Sequence, residues 1–178
     1  IHLSIAKEYI RKHENEIENE DLFIYGSLYP DLVYDKKETH YGKSKTGDLN
    51  YNLHNKINLE KFYENNNIEC DFKKGFLLHI LSDYVFYNYF FDEEYINKTT
   101  YREHSDMLTY SYLYFNKILE EKYDLGEFVK YIYDVVNKLN LNVEEKNKVL
   151  NIDKEKLFSF IDLMSSIDLE EHKIYKKC

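Results

Sequence analysis

The segment of residues 75–91 constrains the fold more than any other part of the chain. Its apolar residues cover nearly the whole circumference of a helix, which is typical of a helix buried on most sides. Within this run, His79 and Asp83 are four residues apart and therefore stack on one helix face. No Lys or Arg occurs between positions 74 and 98, so a buried Asp83 needs a cation from elsewhere in the fold.

Composition predicts an all-helical chain. Gly occurs 5 times and Pro once, whereas a sheet-rich domain of 178 residues needs many tight turns built from those two residues. The 19 Tyr and 11 Phe favour strands in isolation, but burial commonly overrides that weak preference. We therefore expect a single all-α domain over residues 1–178, because 43% apolar residues suffice to fill one core.

Charge and cysteine spacing argue against several protein classes. The formal charge of −9 opposes a broad electrostatic surface for duplex nucleic acid. No apolar run reaches the roughly 20 residues that span a bilayer. Cys70 and Cys178 lack the spacing of a thiolate zinc site and do not indicate a disulfide framework. The sequence does not determine the oligomeric state. It is compatible both with a cytoplasmic protein and with a secreted protein whose signal peptide has been removed.

Periodicity predicts the first elements. A helix is expected at residues 2–13, and a short apolar helix at 22–28 that ends near Gly26. The residue before Pro30 avoids the helical region, so an extended or turn conformation is expected there, with Asp31 at the start of a loop. Residues 35–55 have few apolar anchors and are expected to form a long loop.

Capping residues predict the later helices. A short helix is expected at 57–63, and Asp71 is expected to cap the central helix, which runs to about residue 91. Thr99 or Thr100 is expected to cap the next helix. Three further helices are expected: one at 125–139, one that begins at Asn142, and one at 154–167. Asn142 and Glu145 have the spacing of a capping box.

Six residues of zinc-ligand type lie early in the chain: His2, Asp31, His40, His79, Asp83 and His104. Zinc binds imidazole nitrogen and carboxylate oxygen in four-coordinate sites and keeps an open position when it is catalytic. A buried His–Asp hydrogen bond without metal is the alternative for His79 and Asp83. A helix cap or turn is the alternative for Asp31. Residue types and spacing alone therefore indicate a His/Asp metal site and no particular reaction.

The order of these residues resembles that of the zinc-dependent phospholipase C family, which is related to the P1/S1-type nucleases. The matching elements are His2, Gly26-Ser27-Leu28-Tyr29-Pro30-Asp31, Thr39-His40 and Gly75-x-x-x-His79-x-x-x-Asp83. The resemblance implies an all-α bundle with up to three zinc ions in a cleft. It implies that one ion is held by Asp31, His40, His79 and Asp83. It also implies that Asp83 bridges to a second ion, which His2 binds.

The resemblance is incomplete for a third ion. The family uses a His shortly after the His-x-x-x-Asp element and a His-x-x-x-Glu pair. In this chain Asn88 or Tyr89 stands where the family has that His, and Leu108 rather than a Glu lies four residues after His104. The acidic residues that flank His104 are the expected substitutes. We therefore expect one to three zinc ions, with His104 as a ligand of the third.

The implied activity is hydrolysis of a phosphodiester, such as that of a phospholipid head group. Asp31 matches the position of the family's proposed general base and is therefore the expected catalytic residue, with Asp48 and Asp106 as the other candidates. Tyr84 and Tyr87 are expected to shape the pocket or donate hydrogen bonds. A single-strand nuclease of the P1/S1 type is one alternative, which needs aromatic platforms and a cationic path. The other is a non-catalytic, metal-stabilised helical domain that binds a partner. Because of the charge balance, no stable nucleic-acid complex is expected.

Overall fold

The computed structural model describes residues 1–125 and 153–172, and every regular element in those ranges is a helix. The helices are α1 His2–Lys12, α2 Glu20–Leu32, α3 Lys37–His40, α4 Leu49–His54, α5 Leu59–Asn65, α6 Asp71–Tyr89, α7 Glu93–Lys98, α8 Tyr101–Tyr123 and α9 Lys154–Met164. The all-α prediction is thus confirmed for the described residues. The helices expected at 125–139 and from Asn142 lie outside them, beyond position 125.

Helix α6 lies at the centre of the packing, as its apolar pattern predicts. Helix α2 packs along it, and α1, α4, α5 and α9 also contact it. Leu77, Leu78 and Ile80 have at most 1% of their surface exposed. Buried side chains from both ends of the chain belong to one hydrophobic cluster with them. The single-domain interpretation of the whole chain stays a prediction, since part of the chain is not described.

Helix α2 is longer than the sequence predicts. It begins after Asn19, whose side chain accepts a hydrogen bond from Leu22 N at 3.0 Å, and it continues through Gly26 and Pro30. The expected end near Gly26 and the extended backbone before Pro30 are therefore wrong. Asp31 lies in the last turn of this helix rather than at a loop start. The reason lies in tertiary packing, because both Gly26 and Pro30 are buried against the rest of the molecule.

Two glycines let α2 and α6 approach closely. A Cβ atom added at Gly26 would lie 1.9 Å from the Phe72 carbonyl oxygen, and one at Gly75 would lie 2.0 Å from the Phe23 carbonyl oxygen. Both neighbours are backbone atoms, so a side chain at either position would force the helices apart. Gly26 is therefore a packing residue of the helix, and does not end it.

The region expected to be a long loop contains two short helices, α3 and α4. Asp48 begins α4, because its side chain accepts a hydrogen bond from Tyr51 N at 2.5 Å. The prediction missed both helices because each has fewer than two turns and too few residues to show a helical period. Helix α7, which begins after Asp92, is not predicted from the sequence for the same reason.

Helix starts give a mixed outcome. The capping box of Thr100 and Glu103 at the start of α8 is present, as expected. Asp71 does not cap α6, which begins after Cys70 without a side-chain cap. The Asp71 carboxylate instead accepts hydrogen bonds from Glu18 N at 3.0 Å and Asn19 N at 2.7 Å. Asp71 thus ties the start of α2 to the start of α6.

None of the helices in the described ranges has the length and apolar character that crossing a membrane requires. The sequence prediction of no membrane span is confirmed for these residues.

Candidate metal centre

Five of the six predicted ligands converge in space. They come from four helices and are His2 of α1, Asp31 of α2, His40 of α3, and His79 and Asp83 of α6. Their ligand atoms form two groups, each with all atoms within 4.8 Å of one another: His2, Asp31 and His79 form one, and His40, His79 and Asp83 the other. Long-range packing thus brings together residues that are up to 81 positions apart in sequence.

The Asp83 carboxylate is the shared centre of this cluster. Its Oδ1 lies 3.1 Å from His2 Nε2, whereas its Oδ2 lies 3.3 Å from His40 Nε2 and 3.7 Å from His79 Nε2. Asp83 is 7% exposed. The carboxylate thus directs one oxygen to His2 and the other to the pair of His40 and His79, and its bridging of two ions stays a prediction.

A backbone contact fixes the tautomer of His79. Its Nδ1 lies 2.8 Å from the Ser27 carbonyl oxygen, which only accepts, so the neutral ring donates its proton from Nδ1. Its Nε2 then carries a lone pair, as in metal-ligating histidines that a carbonyl orients. His40 Nδ1 has two neighbours, the Thr39 hydroxyl at 2.9 Å and the Lys36 carbonyl oxygen at 3.2 Å, so these contacts allow the proton on either ring nitrogen.

The lone pair of His79 faces the other two groups. The Nε2 atoms of His40 and His79 are 3.2 Å apart, and Asp83 Oδ2 lies within 3.7 Å of both. With the His40 proton on Nδ1, three electron-pair donors meet here, an arrangement that a bound cation stabilises. With that proton on Nε2, His40 donates to Asp83 or His79, which is the metal-free alternative. The donor set of imidazole nitrogen and carboxylate oxygen matches the ligands of zinc. The residues present thus fit the ion that the sequence predicts.

Burial and neighbouring charge set the protonation of the two α6 residues. Burial, and then the charge of His2, lowers the pKa of His79 to about 3, so its ring is neutral at physiological pH. Burial alone would raise the pKa of Asp83. The charge of His2 and hydrogen bonds from His2 and His40 outweigh burial and hold that pKa well below its usual range. The centre therefore combines a neutral imidazole with an ionised carboxylate.

Asp31 lies at the more exposed side of the cluster. Its Oδ2 is 4.0 Å from His2 Nε2, and its Oδ1 forms an ion pair with Lys36. Burial opposes ionisation of Asp31, but the charges of His2 and His79 outweigh it, and its pKa lies below the ordinary value. The resemblance groups Asp31 with His40, whereas in the structure its atoms group with His2 and His79. The assignment of each residue to a particular ion stays a prediction.

His2 contributes from the start of α1. Its ring stacks on that of His79 with centroids 3.8 Å apart, which places Nε2 beside Asp83. Its Nδ1 is buried, and no described residue hydrogen-bonds it.

His104 lies apart from the two groups. It is 2% exposed, its Nδ1 lies 2.9 Å from the Tyr95 hydroxyl, and its ring packs edge-on against Phe91. Neither group of ligand atoms found among the described residues includes His104. Glu103, its expected substitute ligand, is instead part of the capping box of α8. The third-ion role of His104 therefore stays a prediction.

A cleft of about 330 Å³ opens over the cluster. Besides the candidate ligands, its walls contain two lysines, a tyrosine of α6 and polar side chains of α8: Lys36, Lys56, Tyr87, Thr109, Tyr112 and Asn116. Lys56 Nζ lies 4.4 Å from the centre of the Tyr87 ring. Burial raises the pKa of Tyr87 well above its ordinary value, so its hydroxyl keeps its proton. The cleft can therefore offer hydrogen-bond donors and positive charge beside the cluster.

Sequence reasoning missed most of these cleft residues. Tyr87 was an expected pocket residue and lines the cleft, whereas Tyr84, its expected companion, lines a different depression near His54. Lys36 and Lys56 lie outside any periodic segment, and only the fold brings them to the cleft.

No family model matches the chain, and no curated protein or solved structure matches it either.

Proposed function

We propose that this protein is a zinc-dependent hydrolase of phosphodiesters, of the phospholipase C type that the sequence resembles. One observation carries the proposal: His40 Nε2, the lone pair of His79 Nε2 and the Asp83 carboxylate lie within 3.7 Å of one another, and His40 and Asp83 line a cleft. Such a buried anionic centre is stabilised by a bound cation. When bound, zinc supplies Lewis acidity to a phosphoryl oxygen and lowers the pKa of the attacking water.

The residues of the chain have separate roles in this proposal. His2, His40, His79 and Asp83 would hold the metal, and the carbonyl oxygen of Ser27 keeps the His79 ring in the ligating tautomer. Asp31 is ionised and borders the open side of the cluster, so it can accept the proton of the attacking water. Its ion pair with Lys36 holds the carboxylate in place.

The cleft walls support an anionic substrate. Lys36 and Lys56 place positive charge beside the cluster, although the chain as a whole carries a formal charge of −9. The protonated hydroxyl of Tyr87 can donate a hydrogen bond to a phosphate oxygen. A phospholipid head group is the substrate that the resemblance favours.

The first prediction concerns Asp83→Asn. This change removes the charge of the shared carboxylate at nearly constant volume, so bound zinc and phosphodiester hydrolysis are expected to fall together, activity by at least about a hundredfold. The measurements are elemental analysis of the purified protein and turnover of phosphatidylcholine in micelles. Asp21→Asn is the matched control, because Asp21 is exposed and lies outside the cleft. Full activity in metal-free protein would contradict the proposal.

The same assay separates the two alternatives. Faster cleavage of single-stranded nucleic acid than of phosphatidylcholine would indicate a nuclease. Zinc at full stoichiometry, with no turnover of either substrate and no open coordination position, would indicate a non-catalytic binding domain.

A further inference from the structure

A second groove of about 460 Å³ adjoins the cleft and has the opposite charge to the whole molecule. Its residues include five lysines, namely Lys36, Lys37, Lys43, Lys45 and Lys56. The described acidic residue that lines it is Asp35, whose carboxylate accepts a hydrogen bond from Lys37 N at 2.9 Å. The formal charge of the chain is −9, so this concentration of cations departs strongly from the average surface.

The groove is continuous with the metal centre. His40, Lys36 and Lys56 line both the groove and the cleft. A substrate that reaches the cluster at His40 therefore meets the lysines immediately beside it.

Backbone contacts hold the lysine-bearing loop in place. Lys43 N donates to the Asn55 carbonyl oxygen at 2.9 Å, and the backbone at Gly42 packs so tightly on Lys56 that an added Cβ would lie 2.2 Å from the Lys56 carbonyl oxygen. The buried side chain of Asn52 accepts from Thr46 N at 2.8 Å and donates to the Thr46 carbonyl oxygen at 2.7 Å. The groove is therefore largely formed before any ligand binds.

The lysine charges act on one another. Burial is the main reason that the pKa of Lys56 lies below its ordinary value, and the charges of Lys36 and Lys45 lower it further, while Asp83 and Asp31 oppose this. Several like charges that line one groove are stabilised when an anion binds between them.

We propose that this groove is a second anion subsite, and that the substrate of the metal centre is a compact head group that carries a further phosphate beside the phosphodiester. The substrate half of this proposal rests on the proposed function, whereas the anion subsite does not. A compact polyphosphate fits better than a nucleic acid, because the lysines converge on one short groove. The acidic remainder of the molecule repels a long polyanion.

Calorimetry on metal-depleted full-length protein tests the subsite, with inositol trisphosphate and inorganic phosphate as probes. Lys43→Gln/Lys45→Gln removes two exposed lysines of the groove that do not line the cleft. Its affinity for inositol trisphosphate is expected to fall by about tenfold. Lys61→Gln/Lys117→Gln is the matched control with the same change of net charge at exposed sites outside the groove, and should change affinity less than about twofold.

Three results would overturn the subsite as proposed. Equal loss in the two double variants would indicate non-specific charge attraction. Equally tight binding of inorganic phosphate would indicate a site for a single phosphate. Tighter binding of a single-stranded oligonucleotide, lost in the groove variant, would indicate a nucleic-acid path instead.

Kinetics on zinc-loaded protein tests the substrate class. The ratio of kcat/KM for phosphatidylinositol bisphosphate to that for phosphatidylinositol should exceed one, and should fall about tenfold in the groove variant. An unchanged ratio would refute the substrate assignment. Hydrolysis of phosphatidylcholine but of neither inositol lipid would refute the substrate class and leave the proposed function standing. If zinc-loaded protein hydrolyses none of the three lipids, both fail, and the calorimetry alone decides the anion subsite.

Discussion

At the scale of the residue, burial determines which imidazoles stay neutral. Burial lowers the pKa of His79 to about 3 and that of His104 to about 4, with further lowering by His2 and Lys56 respectively. Neutral imidazole is the form that binds metal, so His79 is ready to ligate at physiological pH. Because both rings are buried, protonation of either ring would destabilise the folded state.

This gives a prediction for the pH dependence of stability. A histidine whose pKa is lower in the folded state binds more protons when the protein is unfolded. Its contribution to the free energy of unfolding is therefore fully present above about pH 6.5, and is lost as the pH falls towards the folded-state pKa. The free energy of unfolding of metal-free protein should therefore decrease from pH 7 to pH 5. In His104→Gln that decrease should be smaller by on the order of 2 kcal/mol.

Urea denaturation of wild type and His104→Gln at both pH values measures the difference. His54→Gln is the control, because His54 is exposed and its Nδ1 contacts the Asn88 side chain at the surface. An equal pH slope in all three proteins would show that His104 is not the group that titrates.

At the scale of the element, the crossing of α2 and α6 positions the metal centre. Ser27 follows Gly26, and its carbonyl oxygen orients His79, so the close approach at Gly26 and Gly75 also fixes the tautomer of a ligand. Asp31 lies one turn further along α2. Separation of the two helices would thus displace ligands from both.

Gly26→Ala and Gly75→Ala are predicted to destabilise the protein and weaken zinc binding. Alanine favours the helix by about 1 kcal/mol over glycine. A Cβ at either position meets backbone that cannot move independently, and overpacking of this kind costs about 1–3 kcal/mol or more. Urea denaturation and zinc titration measure the two effects. Gly47→Ala is the control, since no atom lies within 4 Å of an added Cβ there, and it should change stability little.

At the scale of the whole molecule, the metal centre joins parts of the chain that are otherwise far apart in sequence. Its residues come from α1, α2, α3 and α6, and α6 carries much of the core. A bound ion would therefore hold the first half of the fold together. Because binding to the folded state alone stabilises that state, zinc should act on global stability.

Zinc addition is predicted to raise the Tm of the metal-depleted protein. Free zinc at a hundred times its Kd corresponds to about 2.7 kcal/mol of stabilisation. Differential scanning calorimetry at several zinc concentrations measures the shift. Asp83→Asn should remove most of it, whereas Asp21→Asn should keep it. A Tm that is independent of zinc in wild type would contradict a metal site in this fold.

Local sequence determined the character of the main helices. The apolar run of α6, the His79–Asp83 spacing and the capping box at Thr100 are local patterns, and each agrees with the structure. These predictions succeeded because a helical period and a cap depend on residues within a few positions of one another. Five of the six proposed ligands also came from the order of motifs along the chain.

Tertiary structure alone decided how those parts meet. The continuation of α2 through Gly26 and Pro30, the grouping of Asp31 with His2, and the lysine groove beside His40 arise from contacts between distant segments. No local propensity encodes them, because close backbone approach and shared charge depend on the partner that packing supplies. The sequence by itself determined a helical protein with ligand-type residues; the fold decided that they form one centre beside a cationic groove.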